Sequence, residues 1–243
     1  VGSEMCIRDR IYTASENRLA LQELLPEAII SCYDSYDDSQ LSHLLDWADV
    51  VCIGCGLGMG QISEKILKNV LKNVSCPCVI DADGLNLLNR NIELLNQCCA
   101  PVILTPHMKE MSRLTGWSID TIMEDRFQAL DQIIKQSGPD TKSSIICVLK
   151  DSRTVVAQTN RQRFVNLAGN NSMAKGGSGD VLAGTIAGLL AQHMAPFEAT
   201  TVGVFLHACG GDEAKKSKGS YSVLARDLIQ GMADAMKNAK ECR

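Results

Sequence analysis

A three-layer α/β/α sandwich with a mostly parallel central sheet is the fold class this sequence predicts, on three observations. Asp49–Ile53 (DVVCI), Cys78–Ile80 (CVI), Pro101–Leu104 (PVIL) and Ser144–Leu149 (SIICVL) are short apolar runs without in–out alternation, as expected of parallel strands covered on both faces. They alternate with stretches of helical apolar spacing, which is the βαβ pattern. Two of them run straight into glycine or acid turns, Gly54–Gly60 and Asp81-Ala82-Asp83-Gly84. The carboxyl ends of strands in open α/β sheets are where ligands bind.

The elements follow in chain order. Residues 1–10 (VGSEMCIRDR) carry neither a helix nor a strand period nor a signal-peptide pattern, and we expect them to be a non-native leader, a cloning or sequencing scar. Ile11–Thr13 reads as a short strand and Ser15–Leu25 as a helix with Leu19, Leu21 and Leu24 inward. Ala28–Cys32 is a strand, and the polar loop Tyr33–Gln40 caps a helix over Leu41–Trp47. The strand Asp49–Ile53, its glycine turn and a helix over Ile62–Leu71 make half a βαβ unit. Next come the Cys78–Ile80 strand, a helix over Leu85–Leu88, the Pro101–Leu104 strand, and a helix opened by Pro106 and stopped at Gly116. A long amphipathic helix is expected over Thr121–Gln136, closed by Gly138-Pro139. After Ser144–Leu149, Val155–Gln158 and Arg163–Val165 read as a hairpin about Thr159-Asn160. Three helices finish the chain, over Asp180–Met194, Pro196 to about Lys215, and Leu224–Lys240.

Composition narrows the function. At 243 residues, with 45% hydrophobic and 21% charged residues, the chain can bury an ordinary core without disulfides. A formal net charge of −4 argues against nucleic acid as a partner, and no apolar run is long enough to span a membrane. The 11 cysteines are scattered or adjacent, and Cys76-Pro77-Cys78 is too tight for a zinc pair. They read as reduced, buried thiols of a cytoplasmic protein.

The chemistry concentrates in Asn170–Gly184 (NNSMAKGGSGDVLAG), a glycine-rich loop that becomes an apolar helix. Such a helix start presents free N–H groups and the positive end of a dipole, an anion site. Asp180 in its first turn reads either as a general base for a hydroxyl attacking phosphorus or as a helix-start acid. The turn Gly54-Cys55-Gly56-Leu57-Gly58 departs from the dinucleotide spacing, because Met59 and Gln61 stand where a third glycine is needed. It is either a backbone approach to another ligand or a tight turn. Asp81 and Asp83 read as water-mediated Mg²⁺ holders or as helix caps. His107, at a strand end three residues before Glu110, is a site residue or a structural one. Lys150 meets a phosphate or ends a turn, and His207 reads as a packed core histidine.

Taken together, Gly54–Gly58, Asp81-Ala82-Asp83, Thr105-Pro106-His107-Met108-Lys109-Glu110, Leu149-Lys150 with Thr154, Ala174–Gly184 and His207 resemble the ribokinase-like superfamily. More closely they resemble the ADP-dependent NAD(P)H-hydrate dehydratases, often the C-terminal half of a fusion with an NAD(P)H-hydrate epimerase. The resemblance covers about residues 11–240 and implies a ribokinase-like fold and a nicotinamide nucleotide repair enzyme. Such a lyase uses ADP or ATP, with Mg²⁺, to convert (6S)-NADHX or NADPHX to NADH or NADPH; with ADP it releases AMP and phosphate. It implies Asp180 as the catalytic base, and Gly56, Gly58, His107 and Asp180 as substrate contacts. Lys150, Asp151, Ser152, Arg153, Thr154, Gly177, Ser178 and Gly179 would hold the nucleotide, and Glu110 would stand near the metal. A homo-oligomer and a fused or separate epimerase are the implied partners. A hydroxymethylpyrimidine or thiazole-alcohol kinase is the alternative, against which His107 counts because such kinases favour Asn there; a fragment that only binds nucleotide is another. The chain departs from the pattern at Cys55, where proline is usual, at Asp151, where Lys-Gly is common, and at Ser178 for threonine. The family's first strand, glycine loop and helix lie before Ile11, so the central sheet is expected to have an unpaired inner edge.

Overall fold

The structure, a computed structural model, describes residues 8–136, 144–159 and 162–241. Residues 1–7 of the expected leader, the Gly138-Pro139 stop and the hairpin tip at Asn160 lie outside these. The strands are β1 (Arg10–Ala14), β2 (Ile29–Tyr33), β3 (Val51–Ile53), β4 (Cys78–Ile80), β5 (Val102–Leu104), β6 (Ile145–Leu149), β7 (Val155–Gln158) and β8 (Arg163–Val165). The helices are α1 (Arg18–Leu24), α2 (Asp38–Trp47), α3 (Gln61–Asn73), α4 (Ala82–Leu88), α5 (Met108–Thr115), α6 (Ile119–Glu124), α7 (Arg126–Gln136), α8 (Ser178–Ala191), α9 (Pro196–Lys218) and α10 (Ala225–Glu241).

Six strands form one sheet in the order β3-β4-β5-β6-β7-β8, parallel as far as β6 and antiparallel beyond it. Side chains alternate across a strand, and both faces are apolar. Ile80, Leu104, Cys147 and Leu149 join the core beneath α3–α7, while Val79, Ile103, Ile146 and Val148 join Leu182, Ile186, Leu189 and Val204 of α8 and α9. This double coverage makes the three layers, and each buried aliphatic side chain contributes about 1.5–3 kcal/mol. A third cluster, with Val181, Ala214, Leu228 and Met232, joins α8 to α9 and α10. There a Cβ on Gly231 would lie 2.1 Å from the Gly210 carbonyl oxygen, so the α9–α10 crossing is built on two glycines.

β1 and β2 pair in parallel with each other, in a separate two-stranded sheet. Arg10 belongs to this unit: it opens β1, and its guanidinium lies 4.8 Å from the Trp47 ring centre. The expected inward helix is instead a 3₁₀ turn, Ser15–Asn17, followed by α1, with Leu19 and Leu24 exposed at 77% and 75%. Helical spacing marks a face but cannot supply a partner for it, and among the described residues α1 packs chiefly on β2 and its own leading turn. Cys52 is also exposed, because β3 is the edge of its sheet and is not covered like β4–β6. Cys55 and Cys99 are exposed too, whereas Cys78, Cys98 and Cys147 are buried; all are free thiols. The long helix expected at Thr121–Gln136 breaks at Asp125, which has extended φ/ψ and accepts the Gln128 N–H at 2.9 Å, capping α7. No helix among the described residues is long and apolar enough to cross a membrane.

Candidate active site

The carboxyl ends of β3, β4, β5 and β6 and the start of α8 meet at one place. Gly54 has φ +122°, and a Cβ there would stand 1.8 Å from the Asp81 carbonyl oxygen. Gly84 is also closely packed, its Cβ position 3.1 Å from the Ile53 carbonyl oxygen. These two glycines let the β3 turn lie against the β4 turn, and the Gly58 N–H donates to Asp83 Oδ2 at 2.9 Å across the seam. Asp83 therefore holds the glycine turn rather than capping a helix.

Asp81 is buried, and its Oδ1 accepts from Lys150 Nζ at 2.6 Å. Lys150 reaches it from the end of β6, whose pairing with β5 is prolonged by a parallel bridge to His107 and by a 2.8 Å bond from Lys150 N–H to the Pro106 carbonyl. Lys150 Nζ also lies 4.0 Å from Glu110 Oε2, so one ammonium serves two buried carboxylates. His107 is the N-cap of α5. Its Nδ1 accepts the N–H groups of Lys109 and Glu110 at 3.1 and 3.2 Å, while Glu110 Oε2 accepts the His107 N–H at 2.8 Å, a reciprocal capping box. With Nδ1 an acceptor, the ring proton sits on Nε2, 3.5 Å from Glu110 Oε1. His107 is thus structural and half-exposed to the site together. Glu110 spends both oxygens on these neighbours, so direct ligation of a metal by it would cost the helix its cap.

The glycine-rich loop before α8 is fastened from below. Asp212 on α9 accepts the Gly169 N–H at 3.1 Å and the Asn170 amide at 2.8 Å, and Asn170 in turn accepts from Ser172. Gly177 takes a left-handed φ of 86° before α8 starts, two residues earlier than the sequence pattern suggested. The Ser178 N–H is bonded to the Lys175 carbonyl and the Val181 N–H to that of Gly177. Of the helix-start donors, those of Gly179 and Asp180 are left for an anion. Buried His207 lies 3.3 Å from Ser178 Oγ, and burial and the Lys150 charge bring its pKa down to about 4, against the Ser178 contact. It is a neutral prop under the loop.

A Cβ on Gly179 would stand 3.1 Å from Lys150 Nζ and 3.6 Å from Asp81 Oδ2. The loop therefore closes directly over the ion pair. Ligand atoms of Asp180, Asp81 and Cys55 lie within 4.8 Å of one another. The Cys52 side chain, partial desolvation of the sulfur although the residue is exposed, and the nearby carboxylates of Asp180 and Asp81 push the Cys55 thiol well up.

Of the residues singled out in the sequence, the fold thus brings together Gly58, Asp81, His107, Glu110, Lys150, Gly179 and Asp180. Gly56, with a left-handed φ of 69° and open space about it, borders them. Asp151 instead pairs with Arg126 at 2.8 Å, and Thr154 donates to the Asp151 carbonyl; Ser152 and Arg153 are exposed on that turn. Asp212 and Arg126 escaped the sequence reading. Both act on partners at least 25 residues away, and no local spacing announces that. A surface cleft of about 510 Å³, lined by Trp117, Gln128, Asp131, Gln132 and Lys135, shares no residue with the site.

A parallel sheet covered on both faces, with a glycine-started helix over the ends of its strands, is the ribokinase-like architecture. Within that class, the chain belongs to the NAD(P)H-hydrate dehydratase family, whose model matches residues 8–233. It is 35% identical over 222 residues to an ADP-dependent (S)-NAD(P)H-hydrate dehydratase of Neisseria meningitidis, covering 89% of this chain and 73% of that one. It is 37% identical over 193 residues to a bifunctional NAD(P)H-hydrate repair enzyme of Moorella thermoacetica, covering 79% of this chain and 35% of the relative. The chain spans about a third to two-fifths of the first bifunctional relatives it matches. Among solved structures, an ADP/ATP-dependent NAD(P)H-hydrate dehydratase of Bacillus subtilis, co-crystallised with ATP and Mg²⁺, superposes with a TM-score of 0.77 at 26% identity, over 98% of this chain and 82% of that one.

Proposed function

We propose that this chain repairs hydrated nicotinamide nucleotides, dehydrating (6S)-NADHX and NADPHX at the expense of ADP or ATP. The observation that carries the reading is the junction at Gly179-Asp180. Two free N–H groups and the dipole of α8 offer a phosphate site, and a carboxylate that would otherwise repel phosphate stands one residue on. A base for a hydroxyl next to phosphorus explains that pairing. Asp180 takes the proton of the C6 hydroxyl, and the oxygen attacks the terminal phosphorus of the nucleotide. The Gly179 and Asp180 N–H groups, with Lys150 behind them, face the charge on the transferred group. The C6–O bond then breaks with phosphate as leaving group, a proton is lost from C5, and the ring double bond returns; with ADP the sum is reduced nucleotide, AMP and phosphate. His107 and the Gly56–Gly58 turn border the hydrate. Lys150–Thr154 and Gly177–Gly179 border the adenine nucleotide, with Asp151 acting through its pair with Arg126.

Mg²⁺ fits as an ion carried by the nucleotide. Asp81 Oδ2 and Glu110 are hard oxygen donors, and their existing bonds suit contact through the ion's water. The ion would neutralise phosphate charge. A cytoplasmic location, assembly into a homo-oligomer and an epimerase supplying the (6S) form, fused or separate, complete the reading. Exposed Val202 and Phe205 on α9 are consistent with an oligomer contact.

The test is formation of the reduced ring's near-ultraviolet absorbance from purified hydrate. We expect it only when ADP or ATP is added, with AMP and phosphate formed from ADP in equal amounts. Asp180→Asn should lower kcat by about 10²–10⁴-fold while nucleotide binding by calorimetry is kept. A stable phosphorylated product would point to a small-molecule kinase, and nucleotide binding without turnover to a binding fragment; either overturns the proposal.

A further inference from the structure

We propose that Cys55, Asp81 and Asp180 form a binding site for a thiophilic divalent cation of the zinc class, and that such an ion switches the site off. The Cys55 thiol would release its proton to solvent as the metal–sulfur bond forms. The inhibition rests on the role proposed above for Asp180; the binding does not.

The three ligand atoms come from different turns and already lie within 4.8 Å of one another. Tetrahedral zinc, with bonds near 2.3 Å to sulfur and 2.0 Å to oxygen, sets its ligands about 3.3–3.5 Å apart. The closure needed is within a side-chain adjustment, and two of the three residues, Cys55 and Asp180, are exposed and free to make it. Asp81 is the fixed ligand. Its Oδ1 is held by Lys150, while Oδ2 points toward Gly179. Water fills the fourth place. One sulfur beside two carboxylates favours zinc over magnesium, because thiolate selects the softer ion. A Mg²⁺ ion travelling with the nucleotide therefore does not satisfy this set.

Cobalt(II) is the probe, because thiolate coordination gives it a charge-transfer band and a tetrahedral site gives intense visible bands. Titrating the full chain without nucleotide or substrate should give one equivalent of Co²⁺ with both features, and Zn²⁺ should bleach them. Cys55→Ser and Cys55→Ala should remove the charge-transfer band of this equivalent, Asp180→Asn should weaken binding at least about tenfold, and Cys99→Ser should change nothing. A band that survives in Cys55→Ala, or binding equal to the parent in Asp180→Asn, overturns the site. Should a variant not fold, the parent decides: Zn²⁺ must slow alkylation of Cys55 selectively over Cys99, mapped by mass spectrometry, and equal rates overturn the proposal. For turnover, each protein is referred to its own metal-free rate. Zinc should inhibit the parent at least about tenfold, reversed by chelator, and leave Cys55→Ala unaffected. If cobalt binds as described but no dehydration is detected, the metal site stands and the proposed function fails.

Discussion

Lys150 is the residue on which the site's electrostatics turn. Asp81 is buried at 1% exposure and has this one ammonium as its partner, with Glu110 on the other side at 4.0 Å. Removing one member of a buried pair leaves the other charged and desolvated, a cost of about 3–5 kcal/mol. Lys150→Met should therefore lose about that much stability in urea, and pairing it with Asp81→Asn should recover part of the loss; additive losses would show that the two side chains are not coupled. His207 gives a second prediction at this scale. Its folded pKa of about 4 lies below the ordinary histidine value of 6.5, so the unfolded chain takes up a proton before the folded one does. Its contribution is complete above pH 6.5, is lost as the pH falls from there toward 4, and amounts to about 3 kcal/mol over that span. His207→Gln should flatten the stability profile between pH 7 and 4.5; an unchanged slope would remove His207 as its source. Sequence reasoning saw His207 as a core residue, and it is one. That it props Ser178 from 29 residues away is a tertiary fact with no local spacing to signal it.

At the scale of elements, the glycine turn after β3 separates fold from function within three residues. Gly54 and Gly56 both have left-handed φ, but a Cβ on Gly54 meets the Asp81 carbonyl at 1.8 Å while one on Gly56 meets nothing within 4 Å. Gly54→Ala should fail to give folded protein. Gly56→Ala should fold at a cost of about 1–2 kcal/mol for the backbone conformation, and if the turn borders the hydrate it should raise KM for the hydrate more than for the nucleotide. Equal solubility of the two variants would contradict the packing. The glycines themselves were legible as a strand–turn–helix signal. Which of them is sterically compelled was not, since that depends on where β4's turn lies. The same limit explains β3. Its sequence reads like the buried strands β4–β6, and only the sheet order shows that Cys52 is at an edge. The glycine loop that runs into α8 was the most legible element, because its glycines and the apolar helix after it are contiguous in sequence. Its Asp212 fastening was invisible for the opposite reason.

Across the whole molecule, stability is unevenly distributed, and the two sheets mark the division. In β4–β6 every side chain from Cys78–Ile80, Val102–Leu104 and Ile145–Leu149 is buried. From Arg10 to Tyr33 none is. That unit docks on the main core through Tyr12 and Tyr33, whose rings lie 4.8 Å apart, and through the Arg10–Trp47 contact. The Tyr12 hydroxyl is buried there without a hydrogen-bond partner, which costs about 1–3 kcal/mol, and Leu19 and Leu24 add little burial to offset it. Elements with few buried apolar contacts open locally at lower free energy than the core. Native-state amide exchange should therefore find the β1–β2 amides at least about tenfold less protected than those of β4–β6. Tyr12→Phe, which removes the stranded hydroxyl and keeps the ring, should narrow that gap without slowing exchange in β5. If β1 and β2 exchange only with global unfolding, the two sheets open as one unit and the division is wrong. Because the proposed site is built from β3–β6 and α8, opening of the β1–β2 unit should leave Lys150, Asp81 and Gly179 in place. Nucleotide binding should then protect the α8 amides and leave those of β1 unchanged.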